Sequence, residues 1–594
     1  MQPTDTRDPD YFHKVVDCQW ACPAHTNVPE YIRLIAQGRY TDSYMLNRHS
    51  NVFPGVLGRT CDRPCEPACR RGRVEEKPVA ICRLKRVAAD LKDAEEVAQR
   101  LPVAGPPNGK RICLIGAGPA SLTVANDLQP LGYEVVIYEA LPRAGGLMRI
   151  NIPSFRLPAE VLDSEVDAIL NMGLCTIHYS HRIESLQALL ETEDFDAVFV
   201  GTGAPKGKEL NLPGRQEADA NVHIGIEWLE SVHFEHIDSI GERVLVIGVG
   251  NTAMDCCRTA KRVGGTDVKV MARKSREHFK ASPWELEDAE EERVEILENH
   301  SPQRYVVEDG KLVGMVFDLV TWAPDDTGRL RSTKHGEKMI PCDDVILAIG
   351  QDNAFPWIER DIGIQFGKWD MPVVDKTTFM TTREGVFMGG DAAWGPQNII
   401  WAVEHGHQAA ISMHMYCQGL SLTDDRPKRA VKLESAKMGL HEWSFHNDYN
   451  PSERTKMHHA DLEARFKALS LEVELGFDPV QAAREVQRCL NCDMQTDFTA
   501  KACIECDACI DICPVSCLTI TEDGPELDLR QRLTAPAENT DQALFASQAL
   551  PQTGRLMIKD EDICVHCGLC AERCPTAAWD MARMDLFIPH ADAL

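Results

Sequence analysis

The residues best placed to do chemistry in this sequence are cysteines, and they gather at its two ends. Cys503-x2-Cys506-x2-Cys509-x3-Cys513-Pro514 and Cys564-x2-Cys567-x2-Cys570-x3-Cys574-Pro575 repeat one pattern. Three thiolates on a tight loop can reach one cube of iron and sulfide, and the cysteine before proline reaches away to a second cube. The spacing therefore assigns Cys503, Cys506, Cys509 and Cys574 to one [4Fe–4S] cluster, and Cys564, Cys567, Cys570 and Cys513 to another. Zinc would need four ligands in all, not two sets of four. Cys517 is spare and reads as a buried thiol. A long insert separates the two runs and predicts a loop or hairpin at a docking surface. Cys18, Cys22, Cys61, Cys65, Cys69 and Cys82 lie near the start, and Cys489 and Cys492 stand just before the two runs.

The chain around them has 594 residues, too many for one core, with 23 cysteines. Lys and Arg number 63 against 91 Asp and Glu, a formal net charge of −28. Such a surface repels phosphate backbones and anionic lipid, so no nucleic acid or membrane partner is expected. No apolar leader opens the sequence and no run of about 18 apolar residues occurs, so a cytoplasmic chain without a membrane span is expected. Disulfides are rare in that compartment, and the cysteine spacing says metal.

Two glycine turns follow the first cysteine group. The apolar stretch Arg111–Ile115 runs into Gly116-Ala-Gly118-Pro119-Ala120-Ser121, the strand–turn–helix that seats a pyrophosphate on a helix N-terminus. The next strand ends in Glu139, where a carboxylate takes adenosine ribose hydroxyls. Arg243–Ile247 leads into a second copy, Gly248-Val-Gly250-Asn251-Thr252-Ala253. Its following strand ends in Arg273, Lys274, Ser275 and Arg276 with no acid, which suits a 2′-phosphate and hence NADP(H), with NAD(H) as the other choice.

Residues 386–410 (VFMGGDAAWGPQNIIWAVEHGHQAA) resemble the two-dinucleotide flavoprotein disulfide-reductase superfamily, as do 195–204 (FDAVFVGTGA) and 343–351 (DDVILAIGQ). Residues 145–158 (GGLMRINIPSFRLP), GNTAMD, Cys18-x3-Cys22-Pro and Gly58-Arg-Thr-Cys61-x3-Cys65-Glu-x2-Cys69 are similar to the glutamate synthase small subunit and the N-terminal half of dihydropyrimidine dehydrogenase. The resemblance implies FAD contacts at Gly116, Gly118, Pro119, Ala120, Glu139, Arg143, Gly146, Leu147, Gly203, Gly390, Asp391, Asn398 and Ile399, with Asp391 on the ribityl chain. For NADP it implies Gly248, Gly250, Asn251, Thr252, Ala253, Arg273, Lys274 and Gly350. It also implies two N-terminal [4Fe–4S] clusters. One would use Cys18, Cys22, Cys65 and Cys69. The other draws in the relatives on a Cys-x2-Cys pair before Cys18, where this chain has Tyr11 and Phe12. Cys489 and Cys492 resemble that missing pair. A fourth cluster on Cys61, Cys82, Cys489 and Cys492 is therefore expected, stapling the chain's ends. Cys82 is its weakest member, because the relatives place a Gln or Glu where this chain has Lys85 and Arg86.

The expected fold is α/β, with two Rossmann-type domains of the disulfide-reductase type between a helical iron–sulfur domain and a bacterial ferredoxin-like α+β domain. The boundaries read 1–104 (helical iron–sulfur), 105–240 with 336–425 (FAD), 241–335 (NAD(P)), 426–485 (helical linker) and 486–594 (ferredoxin-like). No protein side chain is expected to act as a catalytic acid, base or nucleophile. Cys256–Cys257 reads as two helix residues, and His405 and His407 as packing or capping. The function expected is an NAD(P)H:acceptor oxidoreductase, the FAD and iron–sulfur subunit of a hetero-oligomer. Its partner would be a ferredoxin or a 2-oxoacid:ferredoxin oxidoreductase. The alternatives are a glutamate synthase-type donor and a non-catalytic relay.

Overall fold

The computed structural model describes residues 1–73, 75–437, 450–535 and 540–594. The parts of the expected 426–485 linker and of the ferredoxin insert that fall at 438–449 and 536–539 lie outside the described residues. The fold is α/β. A helical N-terminal layer is built from Val28–Ala36, Tyr40–Asn51, Pro54–Thr60, Ile81–Leu91 and Ala94–Arg100. Local chemistry sets these helices. Asn27 accepts from the Glu30 N–H to open the first, Pro29 occupies its first turn, and its apolar face is buried.

The first nucleotide fold is a five-stranded parallel sheet in the order Val386–Met388, Ala197–Val200, Arg111–Ile115, Glu134–Tyr138, Cys175–His178. Its central strands are continuous apolar runs buried on both faces, as parallel strands covered by helices must be. The second has the order Val222–Ile224, Asp344–Leu347, Arg243–Ile247, Asp267–Met271, Glu295–Leu297. An antiparallel meander, His300–Glu308, Lys311–Pro324 and Leu330–Pro341, is attached to it. The sequence boundaries put 222–224 and 344–347 with the first fold, whereas their pairing puts them in the second. Strands of three and four residues carry too little periodicity to declare their sheet.

The stretch 426–485 also differs from expectation. Its described residues hold a strand, Ala430–Ser435, paired with Trp579–Phe587, and helices only at Leu462–Arg465 and Pro479–Val486. Charged residues there serve as anchors instead of one face of a long helix. Glu472 and Glu474 hold Arg59 and Arg83 of the N-terminal layer. The insert between the ferredoxin runs folds as the helix Glu526–Arg530 and the strands Phe545–Ala546 and Leu556–Lys559.

Buried ions join the chain's two ends. Arg488, fully buried, pairs with Glu485 at 2.9 Å and Glu75 at 3.1 Å and donates to the carbonyls of Lys77 and Pro78. Arg71 donates to the Arg488 carbonyl at 3.0 Å, and Arg33 holds Asp493 at 2.8 Å. A second tie stacks His49, His590 and His407, from the helical layer, the C-terminal segment and the flavin-fold helix Ile399–Cys417, with centroids 4.6 and 4.3 Å apart. Asp127 closes this stack at 2.6 Å from His407.

Removing Arg488 leaves Glu485 buried without its cation, which costs about 3–5 kcal/mol. Arg488→Ala is expected to lower the thermal midpoint and to open the segment 485–493 to protease. An unchanged melt and digest would show that the ion network does not hold the two ends together.

Candidate functional site

Each nucleotide fold opens a helix N-terminus at its glycine turn. Gly118 and Gly250 cap the helices Pro119–Leu128 and Asn251–Arg262 with no side-chain cap bond, which leaves backbone N–H groups for a phosphate. Gly146, at φ +53°, brings the start of the short helix Leu147–Ile150 against Gly118: a Cβ on Gly146 would lie 2.9 Å from the Gly118 Cα. Gly248, at φ +131°, has the Ala348 carbonyl where a Cβ would be, at 2.1 Å. Pro119 and Ala120 form the first turn of their helix, and Ala253 is fully buried in the other. Glu139 is buried and accepts from the Ala117 N–H at 2.6 Å and the Leu141 N–H at 2.8 Å, so it braces the glycine turn.

The end of the first fold supplies the rest of the flavin cradle. Gly390, at φ +61°, opens the short helix Asp391–Trp394. Asp391 accepts from the Gln397 N–H at 2.9 Å, and burial pushes its carboxyl up to about 6. A hydroxyl donor is the partner such a carboxylate lacks. Asn398 caps the helix that Ile399 begins. His405 accepts from the Gly390 N–H at 3.2 Å, and burial lowers it to about 4, so this neutral ring orients the loop. Gly203 and Gly350 hold positive φ at +68° and +114°. Arg143 is exposed, 3.8 Å from Asp163.

Three buried oxygens around the cradle, Asn151 Oδ1, Thr202 Oγ1 and Asn353 Oδ1, have no hydrogen-bond partner among the described residues. Orphaned buried oxygens are costly, and a polar ligand such as FAD between the folds answers them. Asn353 donates to the carbonyls of Asp391 and Ala392, and Asn151 reaches Thr252 at 3.5 Å. Asn151 and Thr202 stand inside the stretches 145–158 and 195–204, but the resemblance singles out their glycines and Leu147 instead, and Asn353 lies just past 343–351. Asp62 was missed too. It accepts from Asn251 at 3.1 Å and from Asn398, so the loop after Cys61 touches the opening residues of helices in both nucleotide folds.

At the second fold Arg273 is exposed, and its carbonyl accepts from Trp322 Nε1 at 2.7 Å. Lys274 Nζ lies 5.0 Å from the Trp322 ring centre. Arg276 is instead paired with Glu290. Cys256 and Cys257 are fully buried helix residues bonded to the Gly225 and Met254 carbonyls.

The cysteines form four groups, but two are not those expected. Cys18, Cys69, Cys489 and Cys492 line one pocket, walled by Val28, Ile32, Val79 and Ile81. Burial raises the Cys18 thiol, and Cys69, Cys492 and Cys489 raise it further. Cys22, Cys61, Cys65 and Cys82 form the other N-terminal group around Lys85. Burial would lower that ammonium, yet these four thiols hold it above its usual range. A hydrogen bond from Cys61 lowers Cys82 to about 6. The expected sets, 18/22/65/69 and 61/82/489/492, are therefore each split in two. The physical reason is the end of the helix Asp17–Ala21: Cys22 is its cap, in extended backbone at ψ 123°, so Cys18 and Cys22 do not share a helical face.

In the ferredoxin-like domain Cys513, Cys564, Cys567 and Cys570 share a pocket with Cys517, whose Sγ is 3.6 Å from that of Cys513. Cys503, Cys506, Cys509 and Cys574 gather in the other loop, where Cys506 is exposed. Four sets of four thiols gathered at these spacings fit [4Fe–4S] ligation.

A glycine turn on each of two parallel sheets, a flavin cradle at the end of the first and cysteine pockets on both sides define a two-dinucleotide flavoprotein with iron–sulfur domains. Comparison with known proteins agrees. Residues 110–406 match the pyridine nucleotide-disulphide oxidoreductase family, 13–97 match dihydropyrimidine dehydrogenase domain II with its 4Fe-4S cluster, and 502–578 match the 4Fe-4S dicluster domain. The chain is 36% identical over 505 residues to the NADP(+)-dependent formate dehydrogenase subunit beta of Moorella thermoacetica, covering 80% of this chain and 70% of that one. It is 32% identical over 527 residues to the NADPH-Fe(3+) oxidoreductase subunit beta of Geobacter sulfurreducens (82% and 77% covered). It is 31% identical over 424 residues to the glutamate synthase [NADPH] small chain of Azospirillum brasilense (68% and 86% covered). The chain belongs to the pyridine nucleotide-disulphide oxidoreductase family and is an FAD- and NADP-binding iron–sulfur oxidoreductase. No helix among the described residues is long and apolar enough to cross a membrane.

Two outcomes follow from this geometry. The double variant Cys18→Ser/Cys489→Ser is expected to lose about four irons per chain, one cluster's worth. The grouping read from sequence requires about eight, and that count would reject the pockets described. Asp391→Ala is expected to purify with far less than stoichiometric flavin, because a buried hydroxyl loses its acceptor. Full flavin occupancy in the variant would remove Asp391 from the cradle.

Proposed function

We propose that the chain is the FAD and iron–sulfur subunit of a hetero-oligomer that moves electrons between NADP(H) and a low-potential protein partner, a ferredoxin or a 2-oxoacid:ferredoxin oxidoreductase. The observation that carries this reading is the line of pockets. The 22/61/65/82 thiols adjoin Asp62, which touches helices of both nucleotide folds. The 18/69/489/492 pocket is bolted beside them, and Arg70 links it to the Cys564 loop. Exposed Cys506 ends the line at the surface. Two of the relatives described above are named as beta subunits, which supports a larger assembly. The ferredoxin tail argues against a glutamate synthase role, and the intact second glycine turn argues against a mere relay.

Bound FAD exchanges a hydride with a nicotinamide and single electrons with iron–sulfur centres. The chain's own part is positional. Gly118 and Gly250 offer helix N-termini to phosphates, Asp391 accepts from the ribityl chain, and His405 holds the Gly390 turn. Arg273 and Lys274 offer positive charge to a 2′-phosphate, with Lys274 steadied on Trp322.

A charge-assisted contact contributes about 1.5–3 kcal/mol, so NADPH is expected to exceed NADH about 10- to 100-fold in kcat/KM with a viologen acceptor. In Arg273→Ala the KM for NADPH should rise while the NADH parameters hold. Equal values for both nucleotides in the unmodified protein would remove the NADP assignment. Purification of an endogenous complex containing a larger catalytic subunit tests the partner. A chain that is always recovered alone would speak against a subunit role.

A further inference from the structure

Arg70 occupies a position that holding clusters does not by itself require. It follows Cys69 directly, and its guanidinium is buried, with the side chain 6% exposed. Nε donates to Asp17 at 3.2 Å, and Asp17 precedes Cys18. Nη1 donates across the domain boundary to the Cys564 carbonyl at 2.8 Å and the Glu561 carbonyl at 3.1 Å. The negative groups around it are Cys492, Asp17, Glu561 and Cys564. One planar fork thus spans the backbone of the 18/69/489/492 pocket and the first cysteine of the 513/564/567/570 pocket. Tyr11 to Glu561 at 2.8 Å and Gln542 to the Tyr11 carbonyl at 2.9 Å are neutral ties across the same junction, whereas Lys559 and His566 meet Glu561 and the Cys564 thiol from within the ferredoxin-like domain.

We infer that Arg70 is a positioning residue that locks these two cysteine pockets together and serves as a fixed cation between them, raising the reduction potentials of both centres relative to the 22/61/65/82 and 503/506/509/574 centres. Four thiolates around a cube leave it anionic, and two such centres side by side in a low-dielectric junction repel added electrons. A permanent guanidinium between them offsets that repulsion, because Arg stays protonated where Lys need not. Net charge and nearby hydrogen bonds are what set iron–sulfur potentials within one cluster type. A purely structural ion pair with Asp17 would account for one of the three partners and leaves the reach to the Cys564 loop unused.

This inference rests on the pockets carrying iron–sulfur centres, which the iron content of the unmodified protein tests separately. It does not rest on the nucleotide or the partner, since the readout uses a chemical reductant. The experiment is an EPR-monitored dithionite titration of the holoprotein and of Arg70→Gln, Arg70→Lys and Asp17→Asn. Cysteine variants in each pocket assign the signals. In Arg70→Gln the two centres flanking Arg70 should shift to more negative potential while the 22/61/65/82 and 503/506/509/574 centres stay in place. Arg70→Lys should keep most of the unmodified potentials. Asp17→Asn, which removes the opposing carboxylate, should shift the 18/69/489/492 centre positive, and it reports even if Arg70→Gln fails to load iron. Unchanged potentials in every variant that loads iron, a shift confined to one of the two flanking centres in Arg70→Gln, or an equal shift of all four would each overturn the inference.

Discussion

The constraint on which this structure depends is that thiols from both ends of the chain must meet in one enclosed pocket. Cys18 and Cys69 come from the helical layer, and Cys489 and Cys492 from the approach to the ferredoxin domain. Buried guanidiniums support that meeting in the protein itself. Arg488, Arg71 and Arg33 reach across the junction to buried carboxylates and carbonyls, and Glu485 also accepts from the Ala80 and Thr455 N–H groups. Arginine suits this task because its fork makes several directed bonds while its charge stays fixed. Once that junction is set, the ferredoxin-like domain has one place to sit, and the third and fourth pockets extend the line outward.

The nucleotide folds meet the same junction from the other side. The loop carrying Cys61 and Asp62 touches Asn251 at the second glycine turn and Asn398, the cap of the helix Ile399–Cys417 in the first fold. The inner thiol group is therefore packed into the flavin-fold core, with Cys22, Cys61 and Cys82 among its buried residues. Lys85 completes this group from within. A buried ammonium against four sulfurs makes this pocket electrostatically unlike its neighbour, although both are built from cysteine alone.

Much of this was legible in the residues. The ferredoxin runs are local, so their spacing nearly dictates their geometry, and the glycine turns are likewise short strand–turn–helix units. What was not legible is long-range. The grouping of Cys18, Cys22, Cys65 and Cys69 was carried over from the family resemblance, and nothing in the residues shows that the backbone turns extended after Ala21 and parts Cys22 from Cys18. The strands at 222–224 and 344–347 were assigned to the wrong sheet because three or four apolar residues fit either one. The stretch 426–485 looked helical from its charge, yet those charges are spent on distant arginines. Asn151 and Thr202 lie within family-like stretches and Asn353 just beyond one, but nothing in those patterns marks these side chains, and it is their unpaired buried oxygens that reveal them.

The split of the N-terminal cysteines also has a consequence for biosynthesis. The last thiol of the set 22/61/65/82 is made 410 residues (492 − 82) before Cys492, on which the set 18/69/489/492 waits. At ~5–20 residues per second that delay is on the order of 20 to 80 seconds. During it Cys18 and Cys69 are a half-built site, open to oxidants and to adventitious metal. The four inner thiols therefore all exist on the growing chain well before the neighbouring set has its last two members, so the order in which the ligands become available is written into their positions.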